Sequence, residues 1–168
     1  YREKIRVWQC KAAAAVKEED LIQNLYVLSS HMQILCFTTK GKVFWLKVYE
    51  IPVASRTSKG RPLVNMLNLD DDESVSDILP VSEFSDDQFV FIATRNGTTK
   101  KTNLSLFSKK YKSGIKAINL DENDKLVGTA ITSGDNEILL ASSSGKLIRF
   151  NESHVRPMGR TARGVRGI

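Results

Sequence analysis

ILCFTTKGKVFWL (Ile34–Leu46) decides the fold, because it consists of two apolar runs joined by a short polar turn that contains a glycine. Two runs of strand-forming residues connected in this way predict a β-hairpin. The pattern returns in VFIATRNGTTKKT (Val90–Thr102) and in ILLASSSGKLIRF (Ile138–Phe150). The chain is therefore a repeat, and its unit of roughly 50 residues is in the range of known repeat architectures.

A second glycine follows each hairpin glycine 17 to 19 residues later; the pairs are Gly41 and Gly60, Gly97 and Gly114, and Gly145 and Gly164. A short apolar run comes next, followed where the chain continues by an acidic turn, another strand and a second acidic turn. Short helical turns are expected directly after the three hairpins, over Val48–Val53, Leu104–Ser108 and Glu152–Val155.

About four short strands per unit predict an all-β, propeller-like fold. Closed propellers have about four to eight blades, so this chain predicts a partial ring of about three four-stranded blades cut from a larger ring. We expect one domain over residues 1–168, in which residues 1–16 end one blade and residues 17–67, 68–120 and 121–168 form the next three.

Composition excludes several classes of protein. Of the 168 residues, 41% are apolar, and no apolar run approaches the roughly 20 residues of a membrane helix. The first residues lack the apolar centre of a signal peptide. Tyr1 is not a natural initiator residue, which indicates a piece of a longer protein. Cys10 and Cys36 match no metal or disulfide spacing, so a buried Cys36 and a reducing cytoplasm are expected. The net charge of +6 favours a polyanionic partner.

Charge follows the repeat. Residues 40–61, 95–116 and 146–166 hold six, seven and six basic residues, whereas residues 70–87 and 121–137 hold eight and five acids. Solvation of a loop would explain one such segment. Three segments in the same phase predict a positive band on one edge of the ring, with the acidic turns on another edge. DNA carries one charge per about 1.7 Å, so this band suits a bent duplex held without sequence readout.

The candidate DNA-binding residues fall into two groups. Those that flank the hairpin turns are Lys40, Lys42, Lys100, Lys101, Lys146 and Arg149. Those in or beside the loops around the second glycines are the first choice for a DNA rim, namely Arg56, Lys59, Arg61, Lys109, Lys110, Lys112, Arg160 and Arg163. Of the two tryptophans, Trp45 is expected to pack between blades, and Trp8 could stack on a base.

No catalytic or metal site is predicted. His31 and His154 are expected to be exposed polar residues. The acids of Asp70–Glu73 lack the spacing of a calcium loop and are typical of a turn. Arg95–Gly97 is a hairpin turn, and no Gly-Lys-Ser/Thr follows it to make a phosphate loop.

Several segments together resemble one family of type IIA topoisomerase domains, the C-terminal domains of DNA gyrase A. The resemblance covers about Lys11 to Ile168 and rests on HVRPMGRTARGVRGI (His154–Ile168), GRPLVNMLNL (Gly60–Leu69), ILCFTTKGKVFWLKVYEIP (Ile34–Pro52), KEEDLI (Lys17–Ile22) and NGTTKKT (Asn96–Thr102).

This resemblance implies a β-pinwheel, a propeller-like disc of about six blades with a strand exchanged between neighbours. It also implies a bacterial, cytoplasmic, nucleoid-associated protein that wraps duplex DNA and so supports negative supercoiling. The implied partners are the remainder of gyrase A and the whole of gyrase B, in an A2B2 holoenzyme. DNA cleavage and ATP hydrolysis, with its magnesium, would lie outside this chain, which itself would need no cofactor.

The sequence departs from the family in one place. The family carries a box, Gln-Arg-Arg-Gly-Gly-Lys-Gly, which the repeat spacing places at Lys4–Cys10. The residues there are Lys4, Ile5, Arg6, Val7, Trp8, Gln9 and Cys10. Without its glycines this loop is less able to adopt positive φ and approach phosphate. Three explanations of the difference stay open. The box has diverged, the amino acids of this loop are wrongly assigned, or an unrelated segment is joined at Lys11. A real divergence predicts weaker wrapping with DNA binding retained.

Three other functions are weighed against DNA wrapping. A propeller of this size could be a scaffold for protein interactions, and a flat salt dependence would favour it. The equivalent domain of topoisomerase IV contacts DNA without strong wrapping. The third alternative is a hydrolase whose active site lies in the acidic turns, and only the clustered carboxylates favour it. A metal-dependent activity that is lost when Asp70–Asp72 are changed would indicate such an enzyme.

Overall fold

The computed structural model describes residues 24–55, 58 and 60–168. Within these ranges all regular structure is β-strand and short 3-10 turn, as the repeat predicts. The strands are β1 Gln33–Thr38, β2 Lys42–Lys47, β3 Val75–Val81, β4 Phe89–Thr94, β5 Thr98–Asn103, β6 Ile115–Lys116, β7 Leu126–Thr132, β8 Glu137–Ala141, β9 Leu147–Asn151 and β10 Val165–Arg166.

The three predicted hairpins are confirmed. Strands β1 and β2, β4 and β5, and β8 and β9 pair antiparallel across tight turns. Each turn ends at its glycine, with φ of 73° at Gly41, 81° at Gly97 and 80° at Gly145. An L-residue with a side chain rarely adopts this conformation, which is why a glycine recurs at this point.

The strands form two equivalent sheets and a separate hairpin. Among the described residues, the first sheet has the order β3-β1-β2-β6, the second has the order β7-β4-β5-β10, and β8 and β9 pair only with each other. In both sheets the hairpin is flanked by two strands that come later in the chain. Each of these two sheets therefore takes its hairpin from one unit of the sequence repeat and its two outer strands from the next unit.

The two sheets share the same irregularity. The register shifts between Phe37 and Thr38 where β1 pairs with β3, and between Ala93 and Thr94 where β4 pairs with β7. The threonine hydroxyl at each shift accepts the backbone N–H four residues later at 3.2 Å. A bulge repeated in this way sets the same bend in both sheets.

The main hydrophobic core lies between the two sheets. It contains Leu35 and Phe37 from one face of β1, together with Val90 and Ile92 from β4. The opposite face of the first sheet carries a second cluster, which includes the free and buried Cys36. Strand β1 is thus covered on both faces, which explains its uninterrupted apolar sequence.

Short 3-10 turns follow the hairpins where the sequence predicts helical turns, at Val48–Glu50, Leu104–Phe107 and Glu152–His154. A fourth, Leu63–Met66, occupies the apolar run after Gly60. None of the helical segments in the described ranges has the length and apolar character that crossing a membrane requires.

Candidate nucleic-acid interface

Two basic loops occupy equivalent places on successive sheets. The first loop, residues 109–114, leads into β6, which pairs with β2 at the edge of the first sheet. The second loop, residues 159–164, leads into β10, which pairs with β5 at the edge of the second sheet. Because β2 and β5 are equivalent strands, the fold places both loops on the same side of their sheets.

The first loop has an exposed cationic surface. The side chains of Lys109, Lys110 and Lys112 are exposed, and none has a carboxylate within 4 Å in the described ranges. Tyr111 lies between them, with its ring 6.4 Å from the ring of Trp45. Trp45 also packs against the core between the two sheets and donates to the Phe107 carbonyl after β5, which is the packing between blades that the sequence predicts.

The second loop is tied to its surroundings by its backbone. The Asn119 N–H donates to the Ala162 carbonyl at 3.2 Å, and the Met158 N–H donates to the Lys101 carbonyl at 2.8 Å. Arg160 is half-buried, and Arg163 is 72% exposed with its guanidinium 3.3 Å from the Asp121 carboxylate. Among the described residues, the loop therefore offers solvent a half-buried Arg160 without a carboxylate within 4 Å and an exposed, partly neutralised Arg163.

The lysines of the first hairpin turn face the acidic turn Asp70–Glu73. Lys40 pairs with Asp72, and Lys42 lies 2.8 Å from Asp70 and 3.5 Å from Glu73. The hydrogen bond from Lys40 lowers the pKa of Asp72, and that from Lys42 lowers the pKa of Asp70. The expectation that the acidic turns lie on a different edge from the basic hairpins is wrong here, since the bulge after Phe37 brings the two turns together.

Lys100 and Lys101 flank the second hairpin turn, but the expectation that they could bind DNA there is wrong because both are buried. Their side chains are 0% and 4% exposed. Lys100 donates to the carbonyls of Ala117 and Arg160, and Lys101 donates to the carbonyl of Glu152 at 2.9 Å. Both ammonium groups point into the protein, because the segment at Ala117 and loop 159–164 cover Lys100 and the turn at Glu152 covers Lys101, so neither reaches a surface phosphate.

One feature of the repeat would have predicted this burial. Counted from the hairpin glycine, Lys100 and Lys101 are equivalent to Phe44 and Trp45 in the first unit. Because Phe44 and Trp45 are aromatic, the equivalent positions of the next unit are expected to face the protein interior and not solvent. The charge of the two lysines concealed this equivalence.

The remaining candidates have different surroundings. In the third hairpin Lys146 is exposed, and the exposed Arg149 lies 3.6 Å from Glu137. Arg61 is exposed beside Gly60. Arg56 and Lys59 lie outside the described residues, as do Trp8 and the box segment Lys4–Cys10.

The acidic turns show no metal-binding geometry in the part of the chain that the structure describes, where no group of three or more potential ligands comes together. The carboxylates of Asp70, Asp72 and Glu73 are instead engaged by Lys40, Lys42 and the Thr38 hydroxyl. Their chemistry here is ion pairing across two turns.

Comparison with known proteins identifies the repeat. The family described as DNA gyrase C-terminal domain, beta-propeller, matches residues 33–82, 88–133 and 136–168. The chain belongs to this family. It is 53% identical over 148 residues to the DNA gyrase A protein of Aeromonas salmonicida, and the match covers 88% of this chain and 16% of that relative. The resemblance noted in the sequence is thereby confirmed.

Two solved structures support the same fold. A C-terminal domain of DNA topoisomerase IV is similar with a TM-score of 0.74 and 31% identity, over 82% of this chain and 43% of that one. A C-terminal domain of DNA gyrase A has a TM-score of 0.70 and 21% identity, over 93% of this chain and 52% of that one. The predicted all-β, propeller-like architecture is confirmed, and it is common to both kinds of topoisomerase.

Proposed function

We propose that this domain binds duplex DNA through its phosphates, without sequence readout, and bends it along a basic rim. The observation that carries the proposal is the equivalence of loops 109–114 and 159–164. Each presents cationic side chains at the outer edge of a sheet, and the repeat carries the pattern from one sheet to the next. A duplex that follows the rim meets such a loop at each blade.

The electrostatics of the first loop support this function. Three exposed lysines without carboxylate partners in the described ranges are available to replace the counterions of DNA. Each phosphate neutralised changes the logarithmic salt slope by about −0.9. Because lysine acts as a point charge on a flexible stem, such contacts suit a backbone with no fixed register.

In the whole enzyme the proposed role is to wrap DNA, so that gyrase introduces negative supercoils. This role requires the rest of gyrase A together with gyrase B, in an A2B2 assembly in the bacterial cytoplasm, close to the nucleoid. Strand cleavage and ATP hydrolysis with magnesium are assigned to those parts. The 53% identity to a gyrase A protein supports this assignment.

A second candidate is the role of a topoisomerase IV domain, which contacts DNA without strong wrapping. The TM-score of 0.74 to that protein supports it, as does the absence of the box glycines from Lys4–Cys10. Relaxing a plasmid in the presence of the domain separates the two functions. Wrapping shifts the linking number of the religated plasmid, whereas contact without wrapping leaves it unchanged.

Salt dependence tests DNA binding itself. We expect the affinity for a duplex to fall steeply between low and moderate salt, and the triple variant Lys109→Gln, Lys110→Gln, Lys112→Gln to reduce the logarithmic slope by up to about 3. Lys125→Gln removes one exposed charge in an acidic turn and serves as the control. A flat salt response in the parent chain would instead indicate a protein-interaction scaffold.

A further inference from the structure

Lys100 is a buried cation without a carboxylate partner. Its side chain is fully buried in β5, and its ammonium donates to the Ala117 carbonyl at 2.6 Å and to the Arg160 carbonyl. No acid lies within ion-pairing distance of it in the described part of the chain. Burial, and then the charge of Arg160, lower the pKa of Lys100 to about 8. A buried charge is costly unless hydrogen bonds compensate for the lost hydration, so the two carbonyls are what hold this ammonium in place.

The two carbonyls belong to segments from different units. Ala117 follows β6 at the edge of the first sheet, where the N–H groups of Ala117 and Ile118 donate to the Gly41 carbonyl at 2.8 and 3.2 Å. Arg160 lies in the basic loop of the second sheet. The ammonium of Lys100 therefore joins the end of one blade's edge strand to the basic loop of the next blade.

The equivalent residue in the first sheet supports its loop in another way. Phe44 also lies three residues after the hairpin glycine, and a Cβ added at Gly114 would lie 2.7 Å from its ring. Loop 109–114 thus packs on the Phe44 ring at Gly114. This is an apolar contact and involves no hydrogen bond of fixed direction. Loop 159–164 is held by one directional, charge-assisted hydrogen bond from an ammonium, which fixes the peptide of Arg160 itself.

We propose that Lys100 is a positioning residue for DNA binding, whose ammonium fixes loop 159–164 so that Arg160 and Arg163 are held ready for phosphate. This inference rests on the DNA binding proposed above. A loop whose backbone is already ordered loses less conformational entropy when it binds. The segment 117–119 adds to the effect, because it is bonded to Gly41 on one side and to loop 159–164 on the other.

Three variants of the 168-residue chain test the inference. Lys100→Met keeps the shape of the side chain and removes its donors. Lys101→Met is the matched control, since the side chain of this neighbouring buried lysine donates to the Glu152 carbonyl and makes no bond to loop 159–164, and its backbone bond to Met158 is kept. The double variant Arg160→Ala, Arg163→Ala measures what the loop itself contributes. Each is examined by amide hydrogen exchange over residues 159–164 and by duplex binding at fixed salt.

We expect Lys100→Met to speed exchange in the loop and to weaken duplex binding about three- to tenfold, the range for losing the order of one or two side chains. Lys101→Met should lower stability and leave both loop exchange and affinity unchanged. If Lys100→Met leaves exchange and affinity at parent values while the arginine variant weakens binding, the positioning role is wrong and DNA binding stands. If the arginine variant has no effect, the DNA role of this loop fails as well.

A measurement on the parent chain needs no variant. Nuclear relaxation of the Lys100 ammonium is expected to show a highly ordered group, both free and with duplex present. The Arg163 guanidinium should respond to duplex addition. A disordered Lys100 ammonium in the free chain would overturn the inference, even where Lys100→Met does not fold.

Discussion

The indole N–H of Trp45 donates to the backbone carbonyl of Phe107 at 2.7 Å, across the boundary between the first two units. The equivalent residue in the next unit, Lys101, donates its ammonium to the carbonyl of Glu152 at 2.9 Å. Both acceptors lie in the 3-10 turn after the following hairpin. The same position thus links each sheet to the next unit, with an aromatic donor in one case and a cationic donor in the other.

Replacing Trp45 by phenylalanine removes this link and keeps most of the ring. Because the Phe107 carbonyl is left without its donor, we expect the free energy of unfolding to fall by about 1–3 kcal/mol. Urea denaturation measures the change. Tyr49→Phe removes a hydroxyl from an exposed ring and should change stability by less than about 0.5 kcal/mol. Equal effects of the two substitutions would contradict the link.

Releasing Lys40 and Lys42 from their acids should strengthen DNA binding. In Asp70→Asn, Asp72→Asn both lysines lose their main ion-pair partners, so the logarithmic salt slope should steepen by up to about 2. Asp86→Asn, Asp87→Asn makes the same change in net charge at exposed acids outside this ion-pair network. The affinity for duplex DNA, measured over a series of salt concentrations, tests this prediction. An equal increase in affinity in the two double variants would show that only net charge matters.

The buried Lys100 predicts an unusual pH dependence of stability. Its folded pKa of about 8 is lower than the unfolded value of 10.5. Between these values the unfolded chain binds more protons, so stability rises with pH. We expect the free energy of unfolding in urea to increase from about pH 8 to about pH 10. Lys100→Met should lack this increase, and a parallel increase in that variant would assign the effect to another group.

Cys36 should be inert in the folded chain. Burial raises the pKa of its thiol to about 12, and the thiolate is the reactive form. A thiol reagent at neutral pH should modify this residue only after denaturation, and peptide mass mapping distinguishes it from Cys10. Rapid labelling of Cys36 under native conditions would show that the cluster around it opens.

The box segment offers a gain-of-function experiment. Replacing Lys4–Cys10, KIRVWQC, by QRRGGKG restores the family pattern, in which glycines allow a close approach to phosphate. We expect a larger shift in plasmid linking number with little change in simple duplex affinity. If the replacement gives the same shift in plasmid linking number as the parent chain, this segment does not limit wrapping.

Much of the local structure was predictable because it depends on nearby residues. The hairpins required only a glycine between two strand-forming runs, and β3 and β7 lie where a strand is expected between two acidic turns. The 3-10 turns also lie where they were expected. The surroundings of the basic residues were less predictable, since Lys40 meets Asp72 and Lys100 meets Arg160 across 32 and 60 residues of chain.

The sequence by itself determined the repeat, the all-β class, the family and the basic character of the loops, since spacing and composition record all four. Only the tertiary structure decided which cations are free. Strand β5 reads TTKKTN, which is polar in sequence, yet four of its six residues are buried. Strand β10 pairs along its edge, while loop 159–164 and the turn at Glu152 cover its two lysines. The fate of a charge depends on which distant segment covers it, and that is set by the order of strands in the sheet.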